Sequence, residues 1–247
     1  PQDGEKLTTP ELVEDGYNGK PVVRFNGTSD GMQFPFGNIY KTSEATVVII
    51  SSSKSDKEET YGGDNIPLLY FHEYGGGWSK FVVTPTSGNV NARFGSGRSD
   101  DNGGFMCYER PHNIGEDFST TVAVKSGSDE TIYVGDQEVM SRSNGSATFT
   151  NVKDDIGYLG RYPVGSNTTY WYNQSDIAEI MIYNRALGLV EIQQINAYIN
   201  SKYNISVELA SISLEEPAKT EYTIGEELDL EGLKVTAHYS DGSSKEL

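Results

Sequence analysis

Basic residues are scarce in this 247-residue chain: 19 Lys and Arg stand against 36 Asp and Glu, for a net charge of −17. A surface that acidic repels phosphate backbones and anionic lipid heads, which argues against nucleic acid and membrane surfaces as partners. Cysteine occurs once, at Cys107, so no intrachain disulfide can form. Long hydrophobic runs are missing as well. The longest, Thr46-Val47-Val48-Ile49-Ile50, falls far short of the ~20 residues that span a bilayer, so no membrane insertion is expected. No signal-peptide pattern opens the chain and Pro1 stands first, as expected of a piece of a larger protein. Met is rare at four residues, while Gly at 27 and Tyr at 16 are abundant, a balance that suits a turn-rich β-protein.

What is present is a series of short apolar segments broken by turn signals. "PVVRFNGTSDGMQF" reads as strand, turn, strand, with Asn26-Gly27 and Asp30-Gly31 forming the turn. "EATVVIISS" is apolar on both phases of the pleat and predicts a strand buried on both faces. "IPLLYFHEY" and "WSKFVVTP" flank the Gly75-Gly76-Gly77 break. "DFSTTVAVKSG" places Phe118, Val122 and Val124 on one face, and "ETIYVGDQEVM" turns at Gly135-Asp136. "IGYLGRY" reads as one short strand and "YWYNQSDIAEIMIYN" as the last long one. Strands this short and regularly spaced indicate a sandwich or jelly roll.

One stretch departs from that pattern. In "DIAEIMIYNRALGLVEIQQINAYINSKYNI", strand alternation predicts Ala178, Ile180 and Ile182 on one face and Ile177, Met181 and Tyr183 on the other. The period changes after Leu187. Ile192, Ile195 and Ile199, with neighbouring Tyr198, make one helical stripe, and Glu191, Gln193, Gln194 and Asn196 make the wet face. The helix, about residues 189–202, is expected to lie against the sandwich as a structural lid. From Glu208 to Leu247 ten acids face three Lys, a net of −7. Pro217, Gly225, Gly232 and Asp241-Gly242 separate short strands there, too few for a complete sandwich of ~100 residues.

Three of these segments together resemble the bacterial concanavalin A-like, laminin-G-like jelly-roll domains: "GKPVVRFNGTSDGMQFP", "DFSTTVAVKSGSDETIYVGDQEV" and the strand-to-helix stretch from Asp176 to Ile205. The last, with its Asn-Arg-Ala-Leu turn and Tyr-x-x-x-Lys-Tyr helix end, is the most specific. Two departures stand out: Gly135-Asp136 inverts the usual Asp-Gly, and Gly188 takes the place of the usual Ser or Thr helix cap. The tail, "KTEYTIGEELDLEGLKVTAHYSDGSSKEL", looks like the start of a bacterial Ig-like module. The resemblance implies an all-β, two-sheet antiparallel jelly-roll sandwich with one C-terminal helix over residues 1–206, and a partial Ig-like β segment over 207–247. It implies a secreted or cell-surface multimodular protein of a Gram-positive bacterium, with neighbouring domains in the same chain. The Asn-x-Ser/Thr sequons at Asn26, Asn144, Asn167, Asn173 and Asn204 are then coincidences of a polar surface.

The fold alone fixes function poorly, because it serves lectins, glycosidases, adhesion modules and spacers. A glycosidase needs two carboxylates across a cleft. Family enzymes carry them in a Glu-x-Asp-x-(x)-Glu run, which this sequence lacks; Glu179 is the best lone candidate, expected to be a structural carboxylate. His72-Glu73 has no second His at zinc-protease spacing, and Cys107 reads as a small apolar filler. No catalytic residue is assigned.

Sugar binding fits better. Flat aromatic faces stack on sugar C–H surfaces while amide, carboxylate and guanidinium groups read hydroxyls. Two clusters offer these groups: Tyr74 and Trp78 beside the triple glycine, and Arg161, Tyr162, Tyr170, Trp171, Tyr172 and Asn173. A structural calcium, common in such folds, has candidate ligands in Asp30, Asp100, Asp101 and Asp176. The expectation is a non-catalytic carbohydrate-binding module with a glycan partner. The alternative is a structural or adhesive spacer, and a glycosidase stands third.

Overall fold

A computed structural model describes residues 8–35, 43–53, 69–71, 81–86, 89–94, 106–109, 118–143, 156–164, 169–205, 209–239 and 244–247. For some strand residues, Tyr162, Tyr170 and Trp171 among them, it describes the backbone alone.

The described strands are antiparallel and form two stacked sheets. The first has seven strands in the order β1 (Glu11–Tyr17), β2 (Lys20–Asn26), β15 (Gln174–Tyr183), β4 (Glu44–Ser53), β9 (Ser119–Ser126), β10 (Asp129–Val134) and β11 (Gln137–Arg142). The second has six: β3 (Met32–Pro35), β12 (Ile156–Leu159), β5 (Leu69–Phe71), β6 (Phe81–Thr86), β7 (Asn89–Phe94) and β8 (Met106–Glu109). A ribbon of β13 (Arg161–Val164) and β14 (Thr169–Tyr172) stands apart from both. Helix α1 spans Leu189–Lys202, as its periodicity predicts. The all-β sandwich with one helix is therefore the observed architecture.

The seven-stranded sheet is the middle layer of three. Its β4 alternates between two cores: Val47 and Ile49 join Phe25, Ala123, Ile132 and Leu69 between the sheets, while Val48 and Ile50 join Val122, Val124, Ile192 and Ile199 under the helix. Phe118, Val122 and Val124 all belong to the helix side, matching the alternation in the sequence.

Strand β15 corrects a simple alternation. Ile177 pairs with Ser51 but Glu179 pairs with Ile50, so one extra residue is inserted at Ala178. This bulge flips the phase. Ile177 joins Ile180 and Ile182 toward the second sheet, and Ala178 joins Met181 and Tyr183 toward the helix. The segment "IGYLGRY" is likewise two strands, broken at Gly160, whose φ is +70°.

The helix sits slightly rotated from its predicted stripe. Ile192, Asn196, Ile199 and Tyr203 are buried, Ile195 is half-buried and Tyr198 is 46% exposed. At ~100° per residue, Tyr198 lies about 120° round from Ile192, too far to share its contact line, whereas Asn196 lies about 40° away. Gly188 offers no capping side chain. Its N–H instead donates to Glu191 Oε2 at 3.1 Å, the reciprocal half of a capping box. Tyr203 closes the far end, stacked 5.3 Å from Tyr17, which in turn stacks 3.9 Å from Phe118.

At one margin of the inner core lie three charges. Lys125 and Glu130 are fully buried and 3.3 Å apart, and Arg142 Nε donates to the other Glu130 oxygen at 2.5 Å. Burial pushes Lys125 down and Glu130 up from their ordinary ranges, against the pull of their mutual attraction.

Beyond the helix, β16 (Leu209–Glu215), β17 (Lys234–Tyr239) and β18 (Ser244–Glu246) form a separate three-stranded sheet. Ala237 is its buried apolar residue, while Leu209, Ile212 and Leu214 are exposed. The Ser244 N–H donates to Asp136 Oδ1 at 3.2 Å, touching the β10–β11 turn.

Two substitutions test this packing. Ile199→Ala, at 0% exposure, is expected to cost ~2–5 kcal/mol in denaturant unfolding. Glu130→Gln is expected to cost ~3–5 kcal/mol, because it strips the compensating carboxylate from Lys125; replacing all three charges by apolar side chains should cost far less.

Candidate functional site

The β13–β14 ribbon carries most of the aromatic residues that the sequence points to. Its register pairs Arg161 with Tyr172, Tyr162 with Trp171 and Pro163 with Tyr170. Gly160 makes the ribbon leave the second sheet. A Cβ there would lie 2.1 Å from Phe25 Cδ1, and the positive φ also disfavours any side chain.

Arg161 and Asn173 anchor the ribbon's base. Arg161 is 3% exposed, with its guanidinium 5.1 Å from the Tyr158 ring and its stem packed on Gly31. Asn173 is fully buried, and its N–H donates to the Gly160 carbonyl at 2.8 Å. Both residues are buried at the base of the ribbon. Tyr172 is half-buried. Tyr162 and Trp171 are directly opposite one another and one step out of phase with the buried Arg161. Tyr74 and Trp78 lie outside the described residues, so the structure does not relate them to the ribbon.

Asp30 and Asp176, candidate calcium ligands, are each engaged by hydrogen-bond donors of the chain itself. Asp30 Oδ2 accepts from the Asn26 N–H at 3.0 Å and Oδ1 from the Thr8 hydroxyl at 2.5 Å. Asn26 Oδ1 returns the favour, accepting from the N–H groups of Thr28, Ser29 and Asp30 at 2.9, 2.9 and 3.1 Å. Asp176 is held by Arg24 through two bonds of 2.7 Å. These bonds tie both carboxylates into the fold's own network of N–H, O–H and guanidinium donors. Among the described residues no three His, Cys, Asp or Glu side chains converge on a metal-sized site. Asp100 and Asp101 lie outside those residues.

Glu179 is a structural carboxylate. The Ala178 bulge turns it toward α1, where Lys202 Nζ donates to Oε2 at 2.7 Å and the Tyr198 hydroxyl to Oε1 at 3.2 Å. The Tyr203 hydroxyl lies 3.1 Å from Oε2. Burial, with Glu179 next, pushes Tyr203 up to about 12. Near the other end of the helix, Arg185 grips Glu191 through bonds of 2.8 and 2.5 Å. Sequence reading did not anticipate either network, since both join residues across a strand-to-helix turn whose exit angle it does not set.

The architecture is an antiparallel β-sandwich, a fold it shares with several solved domains. Domain 4 of AbnA, an extracellular arabinanase of Geobacillus stearothermophilus solved with arabinotriose, superposes with a TM-score of 0.56 at 15% identity, covering 77% of this chain and 82% of that one. The CBM40 module of the Ruminococcus gnavus IT-sialidase, bound to α2,3-sialyllactose, also gives 0.56 at 14% identity, covering 71% and 96%. Trypanosoma rangeli sialidase gives 0.56 at 14% identity, covering 78% of this chain but 29% of the enzyme. At these identities the likeness establishes the fold. Residues 215–247 match the model of the bacterial Ig-like domain, group 3. In sequence, pectate lyase L of Thermoclostridium stercorarium is 39% identical over 75 residues, 30% of this chain and 6% of that protein.

The Arg185 contact, with the Gly188 N–H second, holds the Glu191 carboxyl down at about 2. A depressed carboxylate contributes stability above its unfolded value of 4.5 and loses it as pH falls from there through about 2. Carbon-detected titration of Glu191 is therefore expected to show a midpoint near 2 that returns toward 4.5 in Arg185→Ala.

Proposed function

We propose that this chain is a non-catalytic carbohydrate-binding accessory module of a larger, secreted bacterial glycan-active protein. The observation that carries this reading is the coverage of two domains solved with oligosaccharides, 82% of the arabinanase domain and 96% of the sialidase module. The local pectate lyase match supports the same context. Within the sandwich class, the strand-turn-helix stretch from Asp176 to Ile205 favours a laminin-G-like, concanavalin A-like jelly roll. The setting that follows is the exterior or surface of a Gram-positive cell. The ligand-binding surface is the β13–β14 ribbon, with Tyr162 and Trp171 as stacking residues on a base of Arg161 and Asn173. The non-catalytic reading is supported by the acids themselves. The buried Asp30, Glu130 and Asp176 are each taken up in bonds that hold the fold together.

A spacer role is the second reading, favoured by the Ig-like match at residues 215–247, since such modules serve as stalks. Glycan-array screening followed by calorimetry separates the two. A carbohydrate-binding module gives a saturable ligand, and Trp171→Ala weakens it ~10-fold, the equivalent of about 1.4 kcal/mol of lost stacking. Silence across neutral and anionic glycans with a folded sample would reject the binding reading and leave the spacer.

A further inference from the structure

The face of the sandwich under α1 is not closed along its whole length. Between the helix and the outer face of β15 lies an open cleft of about 440 Å³, within the ~300–1,000 Å³ of small-ligand sites. It exists because of two features already described. The Ala178 bulge turns Glu179, Met181 and Tyr183 toward the helix, and the rotation of α1 onto Ile192, Asn196 and Ile199 lifts Ile195 and Tyr198 from the contact line. A helix seated on the predicted stripe would bury both residues.

The lining is amphipathic in a particular way. Met181, Leu187 and Ile195 continue the outer core into the cleft. Two tyrosines, Tyr183 and Tyr198, add ring surface, and Gln194 is an exposed amide. The charged members are already compensated. Arg185 and Glu191 hold each other through two bonds, and Glu179 is held by Lys202, which stands just beyond the lining. An ionic ligand would have to compete with those pairs and finds no uncompensated charge. A neutral polyol does not. Its hydroxyls can use the carboxylate lone pairs and guanidinium N–H groups that remain while its C–H face lies on tyrosine and aliphatic carbon.

We propose that the α1–β15 cleft is a second carbohydrate site, on the face opposite the second sheet, which takes one neutral sugar ring of an oligosaccharide. It rests on the reading of the chain as a glycan-binding module but uses none of the ribbon residues. Two sites on one module give avidity for a polymeric glycan when both are engaged.

The test is heteronuclear NMR on the intact chain, with a panel of neutral di- and trisaccharides of arabinose, xylose, glucose, mannose and galactose, arabinotriose among them, and with α2,3-sialyllactose as the anionic probe. A neutral probe is expected to shift the Ile195 methyl and Gln194 side-chain amide signals saturably, with little effect from sialyllactose. Gln194→Ala and Tyr198→Ala should each weaken that binding about fivefold, the equivalent of ~1 kcal/mol, while Trp171→Ala leaves it unchanged. Gln194 is exposed, so its variant is the one that keeps the fold intact. Shifts confined to the ribbon would overturn the cleft proposal and leave the module reading standing. Shifts in the cleft from the anionic probe alone would overturn the neutral assignment. No shifts anywhere from any probe would reject both.

Discussion

Strand β4 carries apolar side chains in both directions, Val47 and Ile49 toward the second sheet, Val48 and Ile50 away from it, and none of the four can be left in water. At ~1.5–3 kcal/mol per buried Val or Ile, the outward set of Val48, Ile50, Val122 and Val124 is worth ~6–12 kcal/mol. A domain's whole stability is ~5–15 kcal/mol, so this surface has to be covered. Helix α1 covers it, and the chain between β15 and α1 is pinned to the same strand. The buried Thr46 hydroxyl donates to the Arg185 carbonyl at 2.9 Å and accepts from the Leu187 N–H at 3.0 Å. One strand thus dictates both that a helix must exist and where it must begin.

That much is legible in the residues. The run "EATVVIISS" lacks the alternation of a half-exposed strand, the period after Leu187 changes from two to 3.6, and the two facts call for each other. Phase was harder. The sequence Ile177-Ala178-Glu179-Ile180-Met181 is apolar on both faces, so a one-residue bulge leaves no mark in its pattern; only the pairing with Ser51 and Ile50 reveals it. The helix rotation has the same origin. Asn196 reads as wet and Tyr198 as apolar, but the contact line is set by the strand beneath, and Asn196 is placed inside it with no hydrogen-bond partner for its Nδ2 among the described residues.

The sites divide along a similar line. The aromatic cluster at Arg161–Asn173 is contiguous in sequence, and the ribbon does bring it together. What sequence could not separate was base from tip, because burial of Arg161 and Asn173 depends on Gly31, Tyr158 and Gly160 packing round them. The triad Lys125–Glu130–Arg142 was illegible for the opposite reason. Each residue looks like an ordinary surface charge, and only the hairpin register, pairing Lys125 with Glu130 and Glu130 with Arg142, gathers them on one face. Composition predicts exposure for such residues, and tertiary pairing overrides it.

Electrostatics bears on the proposed glycan-binding role. Of the net −17, the segment from Glu208 onward holds −7, so residues 1–207 carry the remaining −10. A surface field of that sign disfavours carboxylated sugars at long range, but at physiological salt it decays over ~8 Å, so the local groups decide. Locally, three of the sandwich's described carboxylates are neutralised one by one: Asp176 by Arg24, Glu179 by Lys202, Glu191 by Arg185. A cleft lined by matched pairs, as between β15 and α1, offers hydrogen-bonding capacity with little net charge, which suits hydroxyl-rich neutral ligands better than anionic ones. A shared fold does not by itself carry a ligand class with it. On the reading of the chain as a glycan-binding module, a preference for neutral sugars would follow from the charges the sandwich already uses to hold its helix and edge strands together.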